Sequence, residues 1–115
     1  MKRRFDLYLR DILERIERIH EYLGEKTFEE FKNDFILKDA VIPNLEVIGE
    51  AASQLQSHIK QKYAQVPWQE IIDFRNVIIH KYNQVDFEVA WNVIVNELDS
   101  LERQIKEILK PEGLL

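Results

Sequence analysis

Apolar residues recur along most of this chain at alternating spacings of four and three, and this rhythm restricts the possible fold more than any other feature. In the first segment the series is Phe5, Leu9, Ile12, Ile16, Ile19, Leu23. A helix turns once in about 3.6 residues, so such spacing keeps every member on one stripe of an α-helix. A half-buried strand needs alternation of period two, and no segment sustains it. Only 3 glycines and 3 prolines interrupt the sequence. The pattern therefore predicts an all-α chain.

The punctuation divides the chain into segments. Gly24 stands where the first helix should stop. Thr27 and Glu30 have the spacing of a capping box, which opens a short helix whose Phe28, Phe31 and Phe35 could lid one end of a bundle. Val41, Leu45, Ile48, Ala52, Leu55 and Ile59 define a third helix, with Pro43 either in its first turn or kinking a longer helix. Val66-Pro67 ends that element. Trp68, Ile71, Ile78 and Tyr82 define a fourth, and Asp86 is the expected N-cap of a last helix carrying Phe87, Trp91, Ile94, Leu98, Leu101, Ile105 and Ile108. Pro111-Glu112-Gly113 should close it, leaving Leu114-Leu115 to fray. Long helices with narrow seams and short connections predict an up-and-down four-helix bundle with a short additional helix. Tyr8, Leu13, Ile72, Ile79 and Val95 flank the seams, and some of this surplus is expected to face another subunit.

Composition narrows the function. A length of 115 residues predicts one domain, spanning 1–115, with one core. No apolar run approaches the roughly twenty residues of a membrane span. Met1-Lys2-Arg3-Arg4 leads into a pattern broken by Asp6, Arg10 and Asp11 rather than into the apolar core of a secretory signal, so a cytoplasmic location is expected. With no cysteine there is no disulfide, thiolate zinc site or cysteine nucleophile. A net charge of -5 argues against broad electrostatic coating of long nucleic acid, although Lys60, Lys62, Arg75 and Lys81 could still form a local anion site. His20 and His58 read as isolated, so no metal and no cofactor are expected. Glu70 and Asp73 read as solvated or helix-terminal charges.

The fourth helix departs from its own rhythm. Its middle seam position is Arg75 rather than an aliphatic residue, and the span Arg75-Asn76-Val77-Ile78-Ile79-His80-Lys81-Tyr82 gathers three groups suited to phosphate chemistry. A guanidinium can clamp a phosphate, an imidazole can move a proton near neutral pH, and a phenol can be modified. Residues five apart lie about 140° around a regular helix, so Arg75 and His80 of one copy do not face one ligand. Asp73, Asn76 and His80 share a polar side, while Arg75 projects among Ile71, Ile72, Ile79 and Tyr82. Two copies related by a twofold axis would bring the arginine of one toward the histidine of the other, so a homodimer is expected to assemble the site. Alternatively, Arg75 is a structural arginine paired with Glu46 or Glu50, and Tyr82 a core ring with its hydroxyl at the surface.

Val66-Pro67-Trp68, Ile71, Phe74-Arg75-Asn76, Ile79-His80-Lys81-Tyr82 and Val85-Asp86 together closely resemble the HEPN superfamily, and within it the HepT toxin family. That family's signature is arginine, four residues, histidine, one residue, tyrosine. Ile48-Gly49-Glu50-Ala51 resembles the segment the family carries on its preceding long helix, and the resemblance extends from Ala40 to Leu98. It implies a HEPN-like bundle acting as a metal-independent endoribonuclease, active as a homodimer and neutralised by a cognate MntA-type minimal nucleotidyltransferase. Arg75 and His80 match the catalytic pair. Asn76 matches the polar, substrate-binding residue beside the arginine, and Tyr82 matches the tyrosine that the partner modifies with AMP.

These matches imply that His80 moves a proton of the ribose 2′-hydroxyl or leaving oxygen while Arg75 stabilises charge on the phosphate. Cleavage would leave a 2′,3′-cyclic phosphate, and AMP on Tyr82 would add bulk and negative charge beside the RNA site. A different class of function is a noncatalytic helical adaptor holding a nucleotidyltransferase partner, with the same residues contacting nucleotide or partner. A DNA-binding repressor would need a basic recognition helix, and none is recognisable.

Overall fold

A computed structural model describes residues 2–74, 76, 85–111 and 113–114, with side chains from residue 5 onward. Among the described residues the chain forms seven helices: α1 Lys2–Leu23, α2 Phe28–Lys32, α3 Phe35–Ser53, α4 Ser57–Lys62, α5 Trp68–Ile72, α6 Phe87–Asn96 and α7 Leu98–Leu109. The all-α expectation holds. No helix among the described residues is long and apolar enough to cross a membrane.

The four-three seam of α1 becomes its buried stripe: Leu9, Ile12, Ile16 and Ile19 are wholly covered. Each such side chain contributes about 1.5–3 kcal/mol relative to exposure, which makes this stripe the main reason α1 docks. Gly24 ends the helix with φ of 51°, a left-handed conformation that most side chains resist, and its N–H donates to the His20 carbonyl at 2.8 Å. α1 packs chiefly on α3, which also meets α2 and α5. This central position explains why α3 buries Ile42, Gly49 and Ala51 as well as its seam residues Val41, Leu45, Ile48 and Ala52.

Pro43 lies inside α3, whose start at Phe35 rules out a first-turn position. The neighbouring Asn44 is buried, and a polar side chain there needs partners. Its Nδ2 donates to the Ala40 carbonyl at 2.7 Å, while its Oδ1 accepts from Arg15 of α1 at 3.1 Å. The α1–α3 contact thus holds one polar clasp within an apolar interface.

Two expected long helices are broken. The third series ends as helix at Ser53, because Gln56 adopts extended backbone before α4 begins. Leu55 is nevertheless buried and Ile59 half-buried. The last series breaks at Glu97, with φ of -122° and ψ of -30°, yet Ile94, Leu98 and Leu101 on its two sides are buried. The spacing forecast burial correctly where it misjudged continuity, because chain breaks can preserve the phase of an apolar stripe.

The aromatic lid exists with one member changed. Thr27 accepts from the Glu30 N–H at 3.2 Å and the Glu30 carboxylate accepts from the Thr27 N–H at 3.0 Å, so the capping box is complete. Phe31 is fully buried, with ring centroids 5.6 Å from Trp91 and 6.0 Å from Phe87, and Phe28 lies 5.9 Å from Trp91. Phe35 instead starts α3 and is 70% exposed. Of the apolar surplus, Tyr8, Leu13 and Ile72 pack against this chain's own core, Val95 is half exposed, and Ile79 lies outside the described residues.

The tail does not fray at Leu114. Its N–H donates to the Leu109 carbonyl at 2.9 Å, and Arg10 of α1 donates to its carbonyl oxygen. Asp6, almost fully buried, holds the same guanidinium at 3.4 Å. α7 is thereby fastened to the start of α1.

Candidate active site

The approach to the phosphate-suited span is built from short-range constraints. Pro67 has no N–H to donate and precedes α5, whose first residue, Trp68, is buried. The Trp68 backbone N–H donates to Val66 at 2.8 Å and its indole N–H to the Tyr63 carbonyl at 3.0 Å, tying α5 back to the end of α4. An indole buried without such a partner would be costly. Ile71 and Phe74 face the core.

Gly49 supplies the other constraint. A Cβ built there would stand 3.0 Å from the Ile71 carbonyl oxygen and 3.4 Å from that of Ile72. The backbone of α5 therefore rests directly on α3, at a separation that a larger residue would have to widen. Ile48-Gly49-Glu50-Ala51 thus sets the height of the segment that leads into Arg75.

Asn76 is helical and exposed. Arg75, His80 and Tyr82, with Lys81 between the last two, lie outside the described residues. So does the pairing of Arg75 with Glu46 or Glu50. Downstream, Val85 packs against the core and Asp86 caps α6, accepting from the Val89 N–H at 3.1 Å. The described elements on either side of the span are α5 before it and the capped start of α6 after it.

The break at Glu97 creates a feature that periodicity could not reveal. A cleft of about 290 Å³ opens between α5 and the α6–α7 junction, with Phe74 in its floor and Glu70, Glu97, Ser100 and Gln104 among its walls. Gln104 donates to the Gln65 carbonyl at 3.0 Å and closes one edge. Burial, then the nearby Glu70 carboxylate, pushes the Glu97 carboxyl above its ordinary range. Glu70 is thus half of a facing acidic pair as well as a first-turn charge.

His20 is not isolated. Its Nε2 lies 3.2 Å from Asp99, and Glu102 brings a third donor into a group whose atoms all lie within 4.8 Å of one another. Such a set could hold a cation, but all three residues are at least partly exposed and Lys106 already stands 4.0 Å from Glu102. The His20–Asp99 contact is sufficiently described as a surface clasp between α1 and α7. It arises from helix packing, which a search for local ligand spacing does not see.

Comparison with known proteins places this arrangement. The family model described as ribonuclease HepT-like matches residues 12–108. The chain belongs to this family. A HepT-like relative from Thermococcus cleftensis, named probable ribonuclease HepT, is 37% identical over 110 residues, covering 96% of this chain and all of that one. A Methanocaldococcus jannaschii protein, named gamma-glutamylcyclotransferase with a provisional RNase activity, is also 37% identical over 110 residues. That match covers 96% of this chain, which spans only 50% of the relative. In fold, the HepT-like chain matches the tri-AMPylated HEPN toxin of Shewanella oneidensis, solved in complex with MNT antitoxin, with a TM-score of 0.71 at 22% identity. The match covers 96% of this chain and 99% of that one.

Proposed function

We propose that this chain, acting as one HEPN-like domain over residues 1–115, is a toxin-type endoribonuclease that cleaves RNA without a metal at a site shared by two copies. The observation that carries this reading is that the family match over 12–108 encloses the string Arg75-Asn76, His80 and Tyr82. The anchoring of α5 on Gly49 supports it, since catalytic groups need a firm base.

In the twofold assembly one His80 removes the proton of a ribose 2′-hydroxyl, and that oxygen attacks phosphorus. The bond from phosphorus to the 5′-oxygen breaks, and the second His80, protonated, gives that oxygen a proton. Arg75 stabilises the charge gathered on the non-bridging oxygens, and Asn76 helps to hold the substrate. The products carry a 2′,3′-cyclic phosphate and a 5′-hydroxyl.

A nucleotidyltransferase partner of the MntA type restrains the activity by modifying Tyr82. The phenol oxygen attacks the α-phosphorus of ATP, pyrophosphate leaves, and the bound AMP sets negative charge against incoming RNA.

RNA cleavage in the presence of a chelator tests the core of this reading. His80→Ala should lower cleavage on the order of 10²–10⁴-fold while leaving the helical content unchanged. Full activity in that variant removes His80 from the mechanism, and an inert chain that still binds its partner points to the adaptor instead. With the partner and ATP, intact mass should rise by AMP and should not do so in Tyr82→Phe.

A further inference from the structure

We infer that the outward face of the first turns of α3 is where a second copy of this chain docks, the projecting ridge of each copy filling the groove of the other. The inference rests on the two-copy reading of the active site and names the surface which that reading requires. Phe35 and Ile36 are 70% and 71% exposed, the most exposed large apolar side chains among the described residues. They do not belong to a frayed end. Asp34 caps the helix, accepting from the Leu37 N–H at 3.0 Å, and Leu37 is buried, so the pair projects from a pinned turn. Contiguous apolar surface of this kind marks a contact with another molecule.

Beside the ridge lies a groove of about 390 Å³, lined by Phe35, Ile42 and Pro43 of α3 and by Val85 and Phe87. A ridge and a hollow on one face are what a contact between identical surfaces needs, since each must be both insert and receptacle. Val85 stands three residues beyond Tyr82 in the chain. The groove thus adjoins, along the chain, the C-terminal end of the string proposed to need two copies.

The charges in the groove choose its occupant. Lys38 and Asp39 are its charged lining residues, adjacent in sequence and opposite in sign. The Lys38 ammonium lies 4.4 Å from the centre of the Phe87 ring, and the exposed Asp39 has no ion-pair partner among the described residues. A twofold axis sets residue i against j and j against i. Two α3 helices crossing antiparallel, with the axis between these positions, pair Lys38 of each copy with Asp39 of the other. The same crossing lays Phe35 toward the groove at the other copy's Ile42 and Pro43. Both charges are then answered. An occupant of one sign, whether an RNA backbone or an acidic protein face, would leave one of them opposed by a like charge.

Sedimentation velocity on the full chain, run beside the RNA cleavage assay in chelator, tests the assignment. The parent should dimerise, and Phe35→Ser combined with Ile36→Ser should raise the dimer dissociation constant about a hundredfold, as loss of a central apolar anchor does. Cleavage by that variant should fall with the fraction of dimer and return as protein concentration is raised. Both positions are exposed, so helical content should stay unchanged. Lys38→Glu and Asp39→Lys should each weaken the dimer about tenfold through like-charge contacts. Mixing these two single variants, or combining both substitutions in one chain, should restore dimer and cleavage together, which a general loss of stability would not do. A parent dimer left intact by the Phe35 and Ile36 substitutions, or charge variants that mixing does not restore, overturns this surface while leaving the two-copy reading in place. A parent that cleaves RNA as a monomer at every concentration overturns both. If the substitutions abolish binding of the nucleotidyltransferase and leave the dimer untouched, the face belongs to that partner and the assignment falls.

Discussion

The two five-residue helices, α2 and α5, reach stability by opposite routes. α2 carries its own instructions: a complete capping box at Thr27 and Glu30, and a phenylalanine that enters an aromatic cluster. α5 has no side-chain cap at Pro67 and is held from outside, by the Trp68 indole bond to Tyr63 and by the bare backbone of Gly49 beneath it. A short helix is marginal alone in either case. The lesson is that the lid is specified locally, whereas the base of the candidate active site is specified by the surface it rests on.

Phe31→Ala attacks the lid where it is most buried and should cost about 3–5 kcal/mol, read as a fall in the urea midpoint. Below its unfolding transition this variant should keep its RNA cleavage, since the loss lies at the end of the bundle remote in sequence from the span at 75–82. Gly49→Ala should cost less, about 1–3 kcal/mol, because a Cβ at 3.0 Å from a backbone oxygen forces α3 and α5 apart. Its cleavage rate, measured where the protein is fully folded, should nevertheless fall further than that of Phe31→Ala. The reverse order would break the distinction between the two helices.

Thr27→Ala removes one half of the capping box and should cost about 1 kcal/mol in thermal or urea unfolding, with no change in cleavage. The hydrogen bonds from Thr27 also hold the Glu30 carboxyl below its ordinary range, so that contribution is present above the unfolded value and lost as pH falls through the lowered folded one.

Glu97→Gln should have the smallest effect, and one of opposite sign. The folded carboxyl is raised, so the parent's favourable contribution is fully present below the ordinary carboxylate range and lost as pH rises through the raised value. Compared with the parent, the variant should therefore gain stability between acidic and neutral pH, visible in paired melting curves. A difference independent of pH would mean that burial of Glu97 in the cleft has no electrostatic consequence.

Much of the fold was legible because a helical seam is a local record of burial. The stripes of α1 and α7, the Thr27–Glu30 box, the Gly24 stop and the Asp86 cap each depend on residues within a turn or two of one another. The breaks at Gln56 and Glu97 were not legible, since Leu55 and Leu98 stay in phase across them. Of the candidate site, the Arg75, His80 and Tyr82 string stood out by its departure from that rhythm, and Asn76 beside it is helical and exposed. Gly49 was visible as part of a resemblance but without its physical reason.

What the sequence determined alone was the helical class, the identity of the buried stripes, the local caps and membership of the HepT-like family. The first three follow from periodicity and side-chain chemistry within short stretches, and the last from the match to the family over residues 12–108. Tertiary structure decided the rest. Helix packing brought His20 to Asp99 and fastened Leu114 to Arg10, seated α5 on a glycine of α3, and set Glu70 against Glu97 across a cleft. In each case residues far apart in the chain share one place, and only the packing of whole helices can fix that distance.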